Sequence, residues 1–482
     1  MILMKEDLQL EFGLDEAAAT ELIAETSPHL IIPRRLPHAA AHALSERKEP
    51  AIMSAAIAPA AKAESLWNRN YLLTIGVNLL VYTVHFLLML WSTAYAMEHF
   101  GASIGLAGLA SGLFIVGALF SRIISGRFID FVGRRRMFLA GSALFFFMIL
   151  FYLVAPTLAL FNIVRFIHGV SFGMTSTAAS TIVAAIIPLK KMGQGIGYFT
   201  LGVTIASAIG PFLAMNITAA HAFTLGIEIV GALAACIFLF ALTIKAPERN
   251  ILPQEKEDLK KISFNRFFSM RALGISFIAL MGGVCYSTVL SFLGAYTNSI
   301  GVTGIGATCF FLCFAATSFI SRPLTGFLLD KRGGNVVIYP ALLSMAIAMA
   351  IIATASGDIA MLIGALFLGL GYGTITASCH ALAVHCAPMH QVGVATSTYF
   401  VFLDFGIGVG PYTLGSFVPA FGFSFVYFAA GVISLIGIVL YYILLARRGL
   451  FTRSRMDRTS QAKELIAERR QHFYEEALAA SR

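Results

Sequence analysis

Arg165, Glu228 and Asp404 each fall inside stretches of otherwise apolar residues. An ion at such depth in a bilayer costs at least ~2.5 kcal/mol by insertion scales, so it persists only where a partner, a water-filled cavity or a function offsets the cost. Asp404, in LDFGIGVGP, can bind and release a proton. Arg165, in NIVRFIHGVSFG, is a fixed positive charge that can hold an anion or keep a nearby acid ionised; it can equally be an arginine satisfied by helix-end carbonyls. Glu228 lies near one end of its stretch, where hydration alone can account for it. These three are the candidates for proton coupling.

The elements that must position them are membrane helices. Of 482 residues 58% are apolar and 12% charged, and the mean hydropathy is +0.81, which excludes an ordinary soluble protein. Residues 70–446 hold only 18 Lys/Arg and 10 Asp/Glu. Divided by twelve they give roughly 31 residues per segment, a 20-residue span plus a short loop. The apolar runs are 71–97, 103–126, 137–155, 158–187, 194–217, 222–244, 272–297, 302–328, 335–355, 359–387, 394–418 and 423–446. Backbone left unpaired in lipid is prohibitive, so these runs are helices.

The chain is doubled. SRIISGRFIDFVGRRR (121–136) and SRPLTGFLLDKRGGN (321–335) align without a gap at a spacing of 200, and each reads as a charged hairpin between two spans. Gly126, Asp130 and Gly133 recur as Gly326, Asp330 and Gly333, Gly169 and Gly173 as Gly369 and Gly373, and Gly210-Pro211 as Gly410-Pro411. Between residues 70 and 446 every Lys and Arg except Arg165 lies in or beside the loops after segments 2, 4, 6 and 8. This asymmetry predicts that both termini and the central linker are cytoplasmic.

GRFIDFVGRRR resembles the loop 2-3 signature of the major facilitator superfamily, usually G-x-x-x-D-R-x-G-R-R, and GFLLDKRGG resembles its degenerate loop 8-9 copy. The first copy has Phe131 where a base is usual. RFIHGVSFG resembles the superfamily's segment-4 pattern R-x-x-x-G, and GVTIASAIGP (202–211) an incomplete form of the glycine-proline pattern of its antiporters. The resemblance implies a twelve-helix all-α integral membrane fold in two six-helix pseudo-repeats, working by alternating access. It implies a gating loop of Arg122, Gly126, Arg127, Asp130, Gly133, Arg134, Arg135, Arg322, Gly326, Asp330, Lys331 and Gly333, and helix bends at Gly210, Pro211, Gly410 and Pro411.

Segments 1, 4, 7 and 10 then surround a substrate cavity, with Asn78, Tyr82, His85, Asn162, Arg165, His168, Tyr286, Ser287, Thr288 and Tyr372 as lining candidates. Segments 2 and 11 face one another in the superfamily, so Asp404 is a proton site, a latch to Arg122, or both at once, since protonation would loosen such a latch. The function expected is proton-coupled efflux of a small organic compound by a monomer in the plasma (inner) membrane. The alternatives are a symporter importing a sugar, organic acid or other metabolite, and a non-transporting receptor.

No nucleophile elbow, phosphate loop or ATPase motif points to an enzyme or a cofactor. Cys236, Cys285, Cys309, Cys313, Cys379 and Cys386 all lie in or at the ends of apolar runs, against a disulfide framework. In CHALAVHCAPMH, His380 and His385 are five apart and Pro388 precedes His390, which speaks against a metal. The excess of bases belongs to loops and the C-terminal tail and not to nucleic-acid binding. The domains expected are a cytoplasmic tail (1–68), a six-helix bundle (69–245), a linker (246–271), a second bundle (272–446) and a C-terminal tail (447–482).

Overall fold

The computed structural model describes residues 66–102, 104–248, 267–302, 304–387 and 391–463. Most of the expected N-terminal tail and linker, and the end of the C-terminal tail, lie outside them. Residues 69–457 form one compact unit. Its helices are α1 (Arg69–Phe100), α2 (Ile104–Val132), α3 (Arg134–Phe151), α4 (Leu158–Ile186), α5 (Met192–Ala219), α6 (Phe223–Thr243), α7 (Met270–Ser299), α8 (Phe310–Arg332), α9 (Asn335–Ala353), α10 (Asp358–Cys386), α11 (Val392–Gly415) and α12 (Val418–Leu444). Among the described residues eleven helices are long and apolar enough to cross a membrane. The twelfth, α3, has 18 residues and opens on three arginines.

The packing repeats across the duplication. α1 lies on α5, α2 on α4 and α3 on α4 and α6, as α7 lies on α11, α8 on α10 and α9 on α10 and α12. The halves meet where α2 packs on α11 and α5 on α8, an exchange of the same two partners. Small residues allow the close approach. A Cβ on Gly210 would press on Thr83 and Phe86 of α1, and one on Gly410 on Ser287 and Val284 of α7. Large apolar side chains such as Phe212, Leu239, Ile320 and Phe428 stay exposed on the outer faces, where a lipid solvent accepts them.

Two expectations change. The hairpin motifs are helix nearly to their ends: α2 runs to Val132 and α8 to Arg332, and the turns shrink to Gly133 (φ 99°) in the first copy and Gly333-Gly334 in the second, with positive φ at Gly333 (86°). A helix satisfies its own backbone while its charges reach water, so only one residue of left-handed backbone is needed, and glycine adopts it without strain. The eighth span starts at Phe310 and not at 302, after a separate turn at Ile305–Thr308. Pro211 and Pro411 sit inside the continuous helices α5 and α11. α12 is broken at Gly422 (φ 78°), so its regular part starts close to the expected 423.

Candidate transport site

On the hairpin side the halves are held by backbone contacts through glycine. Gly126 lies against Ser397 and the Gly393 carbonyl, and a Cβ there would collide with Ser397. Its equivalent Gly326 lies against the backbone of Gly193 and Gln194. Ser397 donates its hydroxyl proton to the Arg122 carbonyl across the seam. The two hairpin acids do different work. Asp330 accepts from the Gly193 and Gln194 amides, at 2.7 and 2.8 Å, and so places a carboxylate on the N-terminus of α5, where unpaired amides and the helix dipole favour it. Asp130 instead pairs with Arg134 at 3.1 Å within its own hairpin.

Other bases of the two hairpins are anchored locally. Glu248, just after α6, accepts from the Arg134 and Arg135 amides at 2.9 and 2.8 Å and caps α3. Arg134 also donates to the Pro247 carbonyl and Arg135 to that of Leu242. Arg127 lies over the Phe267 ring at 4.3 Å, and Lys331 over that of Phe327 at the same distance.

Above these contacts the two halves enclose a cavity of about 150 Å³, walled by α1, α2, α4, α5, α7, α8, α10 and α11. On its wall Arg122 and Asp404 form an ion pair across the halves, Nε to Oδ2 at 2.9 Å. Arg122 is 1% exposed and Asp404 21%. The Arg122 guanidinium also lies 4.3 Å from the centre of the Phe400 ring, a cation-π contact that helps offset its desolvation.

Arg322, the equivalent of Arg122, is also on the wall and not in a loop. It donates from Nη1 to the Thr200 carbonyl and from Nη2 to the Thr376 hydroxyl at 3.2 Å, and its Nε is buried with no hydrogen-bond partner. At the place of Asp404 stands Thr204, another wall residue whose buried hydroxyl has no partner. Arg322, Thr204, Thr376 and Tyr399 were not among the cavity residues expected from sequence. The available signal was the 200-residue register itself, which sets an acid opposite one arginine and a threonine opposite the other.

Of the expected lining residues the structure brings Tyr82, His85, Tyr286 and Tyr372 to the wall. His85 stacks between Phe114 and Phe172, with centroids at 5.0 and 4.6 Å, and Tyr286 stacks on Tyr372 at 4.0 Å. Asn78, Asn162, Arg165, His168, Ser287 and Thr288 are not on it. Asn78 donates to the Phe199 carbonyl in the α1/α5 seam. Ser287 faces Gly410 between α7 and α11, and Thr288 donates back to Cys285 in its own helix. Asn162 is half-buried near the start of α4.

Arg165 sits behind the wall. It donates to the Ala110 carbonyl at 3.0 Å and the Tyr152 hydroxyl at 3.3 Å, and lies 4.6 Å from the centre of the Phe114 ring, whose residue does line the cavity. His168 Nδ1 shares the Tyr152 hydroxyl at 2.9 Å. The physical reason is rotation: steps of three and four put Asn162, Arg165, His168 and Phe172 on one broad face, but Phe114 of α2 packs on Arg165 and His168, and of the four only Phe172 lines the cavity. Glu228 is exposed on α6, a helix that contributes nothing to the wall. Among the described residues no group of three metal-ligating side chains occurs; His390 lies outside them.

A profile of the Major Facilitator Superfamily matches residues 73–411 and 341–477. The chain is 24% identical to an MFS-type transporter of Methanocaldococcus jannaschii over 350 residues, 70% of this chain and 89% of that one. It is 24% identical to multidrug resistance protein 2 of Bacillus subtilis over 359 residues, 71% and 88% of the two. Among solved structures it resembles the E. coli fucose:proton symporter FucP (TM-score 0.62, 18% identity, covering 79% and 99%) and the proton:xylose symporter XylE (TM-score 0.59, 16% identity, covering 80% and 98%). With an all-helical duplicated bundle built around one central cavity, the chain belongs to the Major Facilitator Superfamily and is a multi-pass membrane transporter.

Proposed function

We propose that the protein exports a small organic compound in exchange for protons, with the cavity opening alternately to either side of the plasma (inner) membrane. The observation that carries the reading is the Arg122–Asp404 pair, a lone acid at mid-helix that bridges the two halves on the cavity wall. Protonating Asp404 removes the negative member of the pair, loosens α2 from α11 and leaves Arg122 in need of another partner. Coupling follows from that exclusion, because the acid cannot keep both the proton and the arginine.

Export is favoured over uptake by relatives named as multidrug resistance proteins and by the paired glycine-proline seams of α5 and α11. With bases on the cytoplasmic side, the hairpin contacts of Gly126, Asp330 and Ser397 make up the inner gate. The working unit in this reading is a monomer.

The test is a substrate screen in inside-out vesicles with an imposed pH gradient. Gradient-driven accumulation there supports export. Accumulation only in right-side-out vesicles supports an importer, and no flux of any solute would favour a receptor.

A further inference from the structure

We infer that the cavity takes an organic anion, a carboxylate or similar group on an apolar body, with Arg322 as the cation that docks it. This rests on the reading of the cavity as the transport site and names the chemical class of its cargo.

The argument is one of charge. The arginines and carboxylates on the wall are Arg122, Arg322 and Asp404. Asp404 is engaged with Arg122, so one positive charge is left over. Arginine does not shed its proton in a protein, and a buried charge is retained only where something compensates it. What surrounds Arg322 is a carbonyl, a hydroxyl and the tyrosines Tyr82, Tyr286, Tyr372 and Tyr399, with no carboxylate among them.

Arg165 is the internal control. It too has no acid, but its bonds go to Ala110 and Tyr152, none of its nitrogens is a buried atom without a partner, and it is shut off from the cavity. Arg322 is on the wall with an unpartnered Nε, and Thr204 adds an unpartnered hydroxyl. Arg122 also has buried nitrogens without a hydrogen-bond partner, Nε and Nη1, but its charge is met by Asp404; the Arg322 Nε and the Thr204 hydroxyl are donors that no acid meets, and a carboxylate accepts from both kinds of group.

The body of the ligand is set by the rest of the wall. Tyr286 stacks on Tyr372 at 4.0 Å and on Phe314 at 5.4 Å, a surface suited to flat or aliphatic groups. The same excess of positive charge disfavours quaternary ammonium compounds.

The experiment is equilibrium titration calorimetry on the purified full chain, without a gradient, using benzoate, naphthalene-2-carboxylate and decanoate against their amides and naphthyl-trimethylammonium. At least one carboxylate is expected to bind about tenfold or more tighter than its amide, the scale of a charge-assisted hydrogen bond, with the ammonium weakest. Arg322→Gln should erase the preference. Thr204→Asp, which supplies Arg322 with the acid that Arg122 already has, should erase it with Arg322 intact, so the result does not hang on one variant folding.

Equal binding of acid and amide by the wild type, no binding of any carboxylate, or a preference that survives either folded variant overturns the proposal. Failure of proton-driven export with this preference intact would remove the coupling scheme and leave the ligand class standing.

Discussion

Arg122 and Arg322 stand 200 positions apart at equivalent places on α2 and α8, both buried on the wall of one cavity, and only Arg122 has a carboxylate, Asp404 Oδ2 at 2.9 Å. The backbone around them keeps the duplication: the Arg122 carbonyl accepts from Ser397, and the Arg322 carbonyl lies against Gly197, the equivalent of Ser397. The side chains depart from it. A twofold scaffold with onefold chemistry lets one half handle the proton and leaves the other free for cargo.

Asp404→Asn is therefore expected to abolish pH-driven flux while substrate counterflow, which needs no proton, continues. The asparagine still offers Arg122 a carbonyl oxygen in place of Asp404 Oδ2, so the bundle should assemble. Transport assays in proteoliposomes with and without a gradient check this, and a mutant with unchanged gradient-driven flux would take Asp404 out of the coupling scheme.

The same pair makes a prediction about stability. Arg122→Gln alone leaves Asp404 unpaired beside apolar residues and should cost about 3–5 kcal/mol, whereas removing both charges should cost less than the two single changes combined. Thermal unfolding of the four members of the cycle in detergent measures the coupling; additive shifts would mean that the two groups do not interact in the membrane protein.

At the hairpins the two acids are expected to behave differently. Asp330→Asn takes the charge from two hydrogen bonds that cross the halves, each worth about 1.5–3 kcal/mol when ionised, while Asp130→Asn disturbs a pair within α2 and the start of α3. Amide hydrogen exchange at Gly193 and Gln194 should rise in the first mutant and stay near wild type in the second. Equal protection in both would show that the α5 N-terminus does not depend on Asp330.

Much of this was legible in the sequence. The twelve helices follow from hydropathy, the register of 200 from the repeated hairpin and glycine-proline motifs, and the selection of Asp404 as a candidate from the cost of burying charge. Which way a helix turns does not. Arg165 and Phe172 share a face of α4, yet α2 covers the first and leaves the second on the cavity wall, and nothing in the spacing separates them. Arg322 was readable as part of a hairpin because of its neighbours Gly326 and Asp330, and the register pairs it with Thr204 in place of an acid, but its place on the wall follows from α8 remaining helical through the motif. Glu248 carried no periodic signal at all, since its role as the cap of α3 depends on where the chain leaves α6.

Arg165 supplies the last test, because its contacts argue for architecture. Its guanidinium ties α4 to the Ala110 carbonyl of α2 and to Tyr152, and flanks Phe114 from behind the cavity. Lysine keeps the charge but lacks the planar fork that serves two acceptors at once. Arg165→Lys should thus lose one buried hydrogen bond, about 1–3 kcal/mol, and lower the melting temperature. Because the residue does not reach the cavity, the folded fraction should bind ligand as the wild type does and keep the same carboxylate-to-amide ratio. A mutant of normal stability whose ratio collapses would return Arg165 to the binding site and assign the anion to α4 in place of α8.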